Sequence, residues 1–444
     1  MIKKFFTKHF VVLLGNGFTS VIGFAMAYII FHYLSEAEAG MWFFLQSFVG
    51  LCEACRYGFL STAAVKFYAG TDAQRGATVL GSVWFLAIGL SVVFMALNGL
   101  AFFALPFTHN YEFILCIKWV GLNYLSSLPA DVVFWRLQAD EEYTKMFWFR
   151  MINSCSTILS FIVLVLLHRF TLENVIIYNF VTNCTSSLIG IIWYKSGIQY
   201  IARRTKECMT EIFHFGKYTF GTTMFSSLLG NTDTWILNFV LGPAAVAVYN
   251  LGTKLMAIAE LPLRSFATTA MSEMSIAYNA KDIPEVGNLF RKYAGMLTIV
   301  FILMVPFVMF GADYAIELLG GHKFDGVDGT EAANIFRLIM IMAIAYPVDR
   351  FNGIALDVTH NTRVNFYKMV IVITLKIACG FVFTALLKNV YGIVAANYIS
   401  LIVSVIYGYY QLRKHVPHTL SGVLGVGYKE CILLLQKSYA GFKK

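Results

Sequence analysis

The feature that most limits how this chain can fold is a series of apolar stretches, each about 20 residues long, that recurs along its whole length. An α-helix rises 1.5 Å per residue, so about 20 residues cross roughly 30 Å of hydrocarbon. We count twelve such stretches. With 58% hydrophobic and 13% charged residues, the composition excludes a soluble globular protein, in which about a quarter of residues are charged. The sequence predicts a polytopic, all-helical membrane protein.

The distribution of Lys and Arg predicts the orientation. With the N-terminus inside, the segments predicted to be cytoplasmic hold 24 of these residues, including Arg363 and Lys368, whereas the outside loops hold four. Cytoplasmic loops of membrane proteins carry such an excess. We predict a multi-pass protein of the bacterial inner membrane with both termini in the cytoplasm. The net charge of +9 then lies near anionic headgroups and requires no nucleic-acid partner.

The chain contains an internal repeat. LSEAEAGMW at 34–42 aligns with LGPAAVAVY at 241–249, and further along the chain Asn179 aligns with Asn397 at an offset of 218. Ordered offsets that drift slowly are typical of a duplication with small loop insertions. Each half contains six apolar stretches, an even number, so both halves enter the membrane from the same side and the repeat is parallel.

The repeat predicts the domain organisation. We expect an N-lobe of spans 1–6 at residues 1–195, a cytoplasmic interfacial linker at 196–217, a C-lobe of spans 7–12 at 218–412 and a cytoplasmic basic tail at 413–444. The linker is polar, basic and long enough for an interfacial helix. The tail contains a weakly amphipathic stretch flanked by lysines, which we expect to lie on the inner leaflet.

Three segments carry a family resemblance: FGKYTFGTTMFSSLLGNTDTWILNFVLGPAAVAVYNLGTKL at 215–255, LSEAEAGMW at 34–42 and RLQADEEYTKMF at 136–147. They resemble the oligosaccharide flippases, the Wzx-like branch of the MATE and lipid-flippase (MOP) superfamily. The resemblance implies twelve transmembrane helices in two pseudo-symmetric six-helix lobes around a central cavity that opens alternately to each side. It also implies a cargo, a polyprenyl-pyrophosphate-linked oligosaccharide, moved from the inner to the outer leaflet for surface polysaccharides such as lipopolysaccharide.

The chain departs from two related families. The first span has no carboxylate, where a proton-coupled MATE drug exporter is expected to carry an Asp. After Leu412 there is no room for the two further helices in which peptidoglycan lipid flippases resemble each other.

Charges inside the spans are the candidate functional residues. A charge near the bilayer centre costs about 2.5–3.5 kcal/mol, so each is expected to face the bundle interior or water. Four bases lie near mid-membrane and are predicted to bind the pyrophosphate, because Arg binds phosphate oxygens bidentately. Lys254 lies nearer the outer face and is a candidate for release. The four predicted headgroup residues are Arg56, Arg264, Arg350 and Lys376.

Acids are as numerous as bases in the spans. Glu53 lies three residues before Arg56, and Glu260 lies four residues before Arg264, so each pair shares one helix face. The acids either neutralise the bases for structure or titrate and couple transport to ions; the sequence leaves both open. The ion-coupling candidates are Asp233, Glu53, Glu260, Asp131 and Asp349. Pro129 and Pro347 match on the repeat and allow both helices to bend.

Two other functions remain as alternatives. A MATE-type ion-coupled exporter of small molecules would share the fold but would need an anionic cavity. A polysaccharide polymerase or ligase would need a sizeable outside loop for its chemistry, and the longest outside segment, at about 311–334, has one His and no combination of a nucleophile with a base. We therefore expect no enzyme, no metal and no cofactor, with a coupling proton or sodium ion left open. The expected partners are the lipid-linked oligosaccharide, membrane lipids and polysaccharide assembly enzymes, and the protein is expected to be a monomer.

Overall fold

The computed structural model describes residues 2–69, 71–103, 111–194, 196–324, 326–417 and 422–442, and these residues are helical almost throughout. The α-helices are α1 (Ile2–Tyr33), α2 (Glu36–Arg56), α3 (Thr62–Tyr68), α4 (Ala73–Phe102), α5 (Tyr111–Ala139), α6 (Tyr143–Leu166), α7 (Leu172–Trp193), α8 (Lys206–Val240), α9 (Pro243–Lys254), α10 (Met256–Ala259), α11 (Leu261–Asn279), α12 (Ile283–Gly320), α13 (Val327–Ala343), α14 (Tyr346–Val358), α15 (Thr362–Leu387), α16 (Tyr391–Arg413) and α17 (Val423–Phe442). A π-helical turn, Tyr57–Ser61, joins α2 to α3.

Within the described residues, these helices form twelve long helical stretches before α17. The second stretch is α2, the π-helical turn and α3; the eighth is α9, α10 and α11; the tenth is α13 and α14, bent by 45°. By length and composition, six helices are apolar enough to cross a membrane, or seven if the bent pair is one span. The predicted class, an all-α integral membrane protein, is confirmed.

Several helix starts follow from local sequence. Ser35 caps α2 in a reciprocal arrangement: its hydroxyl accepts from the Glu38 backbone N–H at 3.3 Å, and the Glu38 carboxylate accepts from the Ser35 backbone N–H at 3.0 Å. The carboxylates of Asp72 and Asp282 cap α4 and α12 by accepting from the backbone N–H groups of Arg75 and Glu285. Such caps satisfy backbone donors that have no partner inside the helix.

The chain separates into two compact units, Met1–Thr234 and Trp235–Lys444. The division falls inside α8, which ends at Val240. This helix begins at Lys206 and therefore also includes the second part of the predicted linker. Lys195, the last residue of the predicted N-lobe, lies outside the described residues. The predicted lobe boundaries therefore stay predictions.

The first part of the linker is held against α4. A 3₁₀-helix spans Ile198–Arg203, and the Trp84 indole N–H donates to the Ser196 carbonyl at 2.9 Å. Gly81 lies so close to the Tyr200 carbonyl that a Cβ there would clash with it. Trp84 is 1% exposed and belongs to a core shared by α3, α4 and α5. These contacts make the start of the linker part of the first unit.

In the second unit, α17 packs against α12 within a core that α11 and α14 also build. Gly295 of α12 and Gly427 of α17 lie backbone to backbone, and a Cβ on either would clash with the other helix. Glycine allows such a close approach because it has no side chain. The basic tail therefore contains a helix that docks on the protein.

Candidate functional site

Arg56, at the end of α2, is the most buried charge among the predicted binding residues, with 0% of its side chain exposed. Its Nη1 donates to the Tyr124 carbonyl at 2.6 Å, and its Nη2 donates to Ser127 Oγ at 2.6 Å and to Asp131 Oδ2 at 2.5 Å. Its Cζ lies 4.3 Å from the centroid of the Tyr124 ring. The three α5 residues lie three and four positions apart, so they share one face of that helix. We call this α5 face the Arg56 seat: it holds both terminal nitrogens of the guanidinium group, whereas the buried Nε has no hydrogen-bond partner among the described residues.

The π-helical turn begins directly after Arg56. Here α8 approaches so closely that a Cβ on Gly58 would clash with Thr223, and the Thr219 hydroxyl donates to the Gly58 carbonyl at 2.6 Å. Single π-helical turns within α-helices occur frequently at functional sites. In this unit the irregular turn coincides with the buried charge and with the contact to α8.

The predicted pairing of Glu53 with Arg56 is wrong, because Arg56 pairs with Asp131 on another helix. Glu53 lies nearby, where its carboxylate hydrogen bonds with Ser127 and interacts with the charges of Asp131 and Arg56. The reason is the number of donors: a guanidinium has five N–H groups, and one helical neighbour cannot satisfy them. The α5 face offers a carbonyl, a hydroxyl and a carboxylate together.

The corresponding pair in the second unit does form, in a different environment. Arg264 Nη2 lies 3.1 Å from Glu260 Oε2, across the break between α10 and α11. The Arg264 side chain is 70% exposed and that of Glu260 is 31% exposed. A charge in a spanning segment is tolerated where it faces water, the bundle interior or headgroups. With most of its guanidinium uncovered, Arg264 is accessible to an anion.

Asp349 of α14 has two partners from neighbouring helices. Lys368 Nζ of α15 donates to Asp349 Oδ1 at 3.0 Å, and Ser404 Oγ of α16 donates to the same oxygen at 2.5 Å. The Lys368 side chain is 6% exposed. The charge distribution predicts that Lys368 lies in a loop, and the loop assignment is wrong: α15 already begins at Thr362, so Lys368 lies in its second turn and packs against α14.

The remaining predicted residues lie on α8, α9, α14 and α15. Arg350 is exposed on α14 next to Asp349, and its charge acts on Asp357. Lys376 is buried on α15, and Lys254 is half-buried at the end of α9. Asp233 is buried on α8 at the end of the first unit. Because Arg56 belongs to the first unit and Arg264, Arg350 and Lys376 belong to the second, the proposed four-residue headgroup site remains a prediction.

Lys368 is absent from the predicted site residues, although the internal repeat contains a pattern that points to it. At the offset of 218, TKMFWFRMI at 144–152 aligns with TRVNFYKMV at 362–370, which places Arg150 on Lys368. The same offset places Asp131 on Asp349. A basic residue at the same position of the fifth stretch in both halves points to a helix position rather than to a loop.

The chain is similar to known proteins both in sequence and in fold. The family model described as "Lipid II flippase MurJ" matches residues 58–440. The solved structure "Lipid II flippase MurJ, inward closed conformation" is similar at a TM-score of 0.72 and 16% identity, covering 96% of this chain and 92% of that one. An inward-facing multidrug resistance MATE transporter of the MOP superfamily is similar at a TM-score of 0.71 and 14% identity, covering 89% and 95%.

A MOP superfamily transporter from Pyrococcus furiosus is similar at a TM-score of 0.58 and 15% identity, covering 94% of this chain and 96% of that one. At these identities the structures establish the fold alone. No curated protein sequence matches the chain.

These matches refine the family resemblance. The fold is that of transporters of the MOP superfamily, and the family shown is the lipid II flippases, whereas the Wzx-like branch is not shown. The difference after Leu412 does not exclude the chain from the lipid II flippases, because their family model matches through residue 440. The MurJ flippases and the MATE proteins are transporters rather than enzymes. Because the family model matches most of the sequence, this multi-pass membrane protein belongs to the lipid II flippase MurJ family.

Proposed function

We propose that this protein is an alternating-access flippase that moves a polyprenyl-pyrophosphate-linked oligosaccharide from the inner to the outer leaflet of the bacterial inner membrane, for surface polysaccharide biosynthesis. Membership of a lipid flippase family is the observation that carries the proposal. Both termini lie in the cytoplasm in this proposal, as the distribution of Lys and Arg predicts.

The exposed guanidinium of Arg264 supports a pyrophosphate cargo. Arg presents parallel N–H donors that match phosphate oxygens bidentately, and these bonds are stronger than those between neutral groups. Arg350 is exposed on α14, the helix that packs against α11 and thus against the segment carrying Arg264. We assign first contact with the pyrophosphate to these two residues. Lys376 and Lys254 remain candidates for later contacts during translocation.

Arg56 has a different role in this proposal. Its side chain is enclosed and held by three acceptors on α5, so in this conformation it supports the first unit and contacts no cargo. We keep Asp233, Glu53, Glu260, Asp131 and Asp349 as candidates for coupling transport to a proton or a sodium ion. Of these, Asp131 and Asp349 each accept from a buried base.

A second cargo, lipid II, is favoured by the description of the family model. Both cargoes combine an anionic pyrophosphate with a sugar, so the same arginines would serve for either. Lipids that co-purify with the protein, identified by mass spectrometry, separate the two. An oligosaccharide on a polyprenyl pyrophosphate supports our proposal, whereas lipid II would replace that cargo. Organic cations without any lipid-linked sugar would instead indicate a MATE-type exporter.

Replacing Arg264 with Ala tests the site. We expect loss of surface glycan export at unchanged membrane abundance, because 70% of the Arg264 side chain is exposed. Arg363→Ala provides the matched control, since Arg363 is also exposed in the second unit but outside the proposed site. Export at the native level in the Arg264→Ala and Arg350→Ala double variant would exclude this site.

A further inference from the structure

The two halves of the chain carry charges at several matching positions and pair them differently. The second half also holds Lys254, Arg350 and Lys376, which have no charged counterpart in the first half. The fourth stretch of each half carries an aspartate, which is Asp131 in the first half and Asp349 in the second. Each half also has two cations that could neutralise its aspartate, one from the second stretch and one from the fifth. In the first half these are Arg56 and Arg150, and in the second half they are Arg264 and Lys368.

In the first unit, the cation of the second stretch holds the aspartate. Arg56 pairs with Asp131 at 2.5 Å. Arg150, the cation of the fifth stretch, lies with its Cζ 4.4 Å from the centroid of the Phe134 ring, at a distance typical of cation–π contacts. Both cations therefore contact a residue of α5: Arg56 contacts Asp131, and Arg150 contacts Phe134.

In the second unit, the assignment is reversed. Lys368, the cation of the fifth stretch, holds Asp349 at 3.0 Å, and Arg264 is left 70% exposed with the partly exposed Glu260 as its partner. Because Lys368 already neutralises Asp349, whose side chain is 28% exposed, Arg264 is not required as its counter-ion and can meet a further anion beside Glu260.

The difference follows from the residues that surround each aspartate. At the offset of 218, Tyr124 and Ser127, which contact Arg56, correspond to Met342 and Ala345. Neither Met342 nor Ala345 can offer a ring face or a hydroxyl to a guanidinium. The fourth stretch of the second half therefore has no equivalent seat for Arg264.

The seat of the other cation also differs. Phe134, which lies against Arg150, corresponds to Asn352. Asn352 is fully buried on α14 and packs against Gly408 of α16. Without an aromatic face at this position, the cation of the fifth stretch goes to the aspartate, where Ser404 supplies a further hydrogen bond.

We propose that Lys368 is a positioning residue for the anion site: by neutralising Asp349, it keeps the Arg264 guanidinium available for the pyrophosphate of the cargo. The identity of the anion rests on the proposed function, whereas the availability of Arg264 does not. Since α11 packs against α14, Arg264 lies on a helix next to that of Asp349 and would be attracted to its carboxylate if Lys368 lost its charge. Arg350 is adjacent to Asp349 in the helix, and adjacent residues do not face each other.

Chemical labelling of Arg264 tests this without any cargo. The purified full-length protein is treated with phenylglyoxal, which modifies accessible guanidinium groups, and labelling of Arg264 and of Arg363 as an exposed reference is measured by mass spectrometry. In Lys368→Met, Asp349 captures Arg264, and its labelling relative to Arg363 falls about tenfold, the ratio that corresponds to 1.4 kcal/mol. Lys368→Arg keeps the native labelling, and adding Asp349→Asn to Lys368→Met restores it.

Native labelling of Arg264 in Lys368→Met would overturn the proposal, because a purely structural ion pair would loosen the unit without covering Arg264. If Lys368→Met does not accumulate, Lys368→Gln serves the same test, since its amide can donate to Asp349 without a charge. Transport is measured in parallel and is expected to fall in Lys368→Met and to recover in the double variant. If labelling changes as expected but the native protein moves no pyrophosphate-linked lipid, the proposed function fails and the positioning role stands.

Discussion

At the scale of single residues, we expect burial to separate the charges that stabilise the fold from those that serve transport. Arg56 is fully enclosed and Lys368 nearly so, whereas Arg264 is mostly exposed. Removing one partner of a buried ion pair leaves the other as an uncompensated charge in a poorly solvated place. An exposed pair loses little, because water solvates whichever charge remains.

The Arg56 seat gives the first prediction. Asp131→Asn removes the carboxylate from a guanidinium that is 0% exposed, and we expect a loss of about 3–5 kcal/mol in the free energy of unfolding. Membrane abundance and thermal unfolding of the purified protein measure it. Adding Arg56→Met to Asp131→Asn should recover most of the abundance. Glu53→Gln is the control, expected to accumulate normally because Asp131 still neutralises Arg56; a severe loss there would show that Glu53 is its essential partner.

The exposed pair gives the opposite prediction. Glu260→Gln should change the free energy of unfolding by only ~0–1 kcal/mol, because the Arg264 side chain is 70% exposed and stays solvated. Membrane abundance should match the native protein while transport changes. Low abundance of Glu260→Gln, rescued by removing Arg264, would instead show that this pair is structural.

At the scale of helices, close backbone contacts decide which elements dock. Gly295 and Gly427 bring α12 and α17 together, and Gly81 lets the linker lie on α4. Each of these positions has no space for a Cβ, whereas other glycines of the same helices, such as Gly425 and Gly89, face open space. The sequence alone does not distinguish these two kinds of glycine.

The contact of α17 gives a prediction with a matched control. Gly427→Val places a side chain against the Gly295 carbonyl carbon and the Met296 backbone nitrogen, so α17 should separate from α12. Hydrogen exchange of the α17 amides should become faster, and protease cleavage between 414 and 423 should increase. Gly425→Val has the same helix propensity cost but meets nothing within 4 Å, so it should behave like the native protein. Equal protection of α17 in both variants would contradict the docked position.

At the scale of the whole molecule, the chain contains two halves whose sequences repeat while their charge pairing differs. The division falls within α8, so one continuous helix connects the units. The repeat preserves the prolines at 129 and 347 and the aspartates two residues after them. In the first half α5 continues through Pro129, whereas in the second half the stretch bends by 45° and α14 starts next to Pro347.

The topology is the prediction that belongs to this scale. Because 24 Lys and Arg residues fall in the segments predicted to be inside and four outside, both termini should be cytoplasmic. A reporter that is active only in the periplasm should be inactive when fused after Lys444. The same reporter inserted between α6 and α7, next to Arg169, should be active. Activity after Lys444 would overturn the orientation.

The sequence by itself determined the membrane class, the twelve helical stretches, several helix starts and the existence of charges that need partners. These properties depend on hydropathy and on neighbours within about four residues, which a single sequence contains. It did not determine which acid neutralises which base: helical spacing suggested Glu53 for Arg56, but Asp131 holds it from α5, and Lys368 was assigned to a loop. Only the tertiary structure decided these pairs, because the partners lie on different helices and each choice depends on a surrounding ring, hydroxyl or methyl group that packing brings into contact.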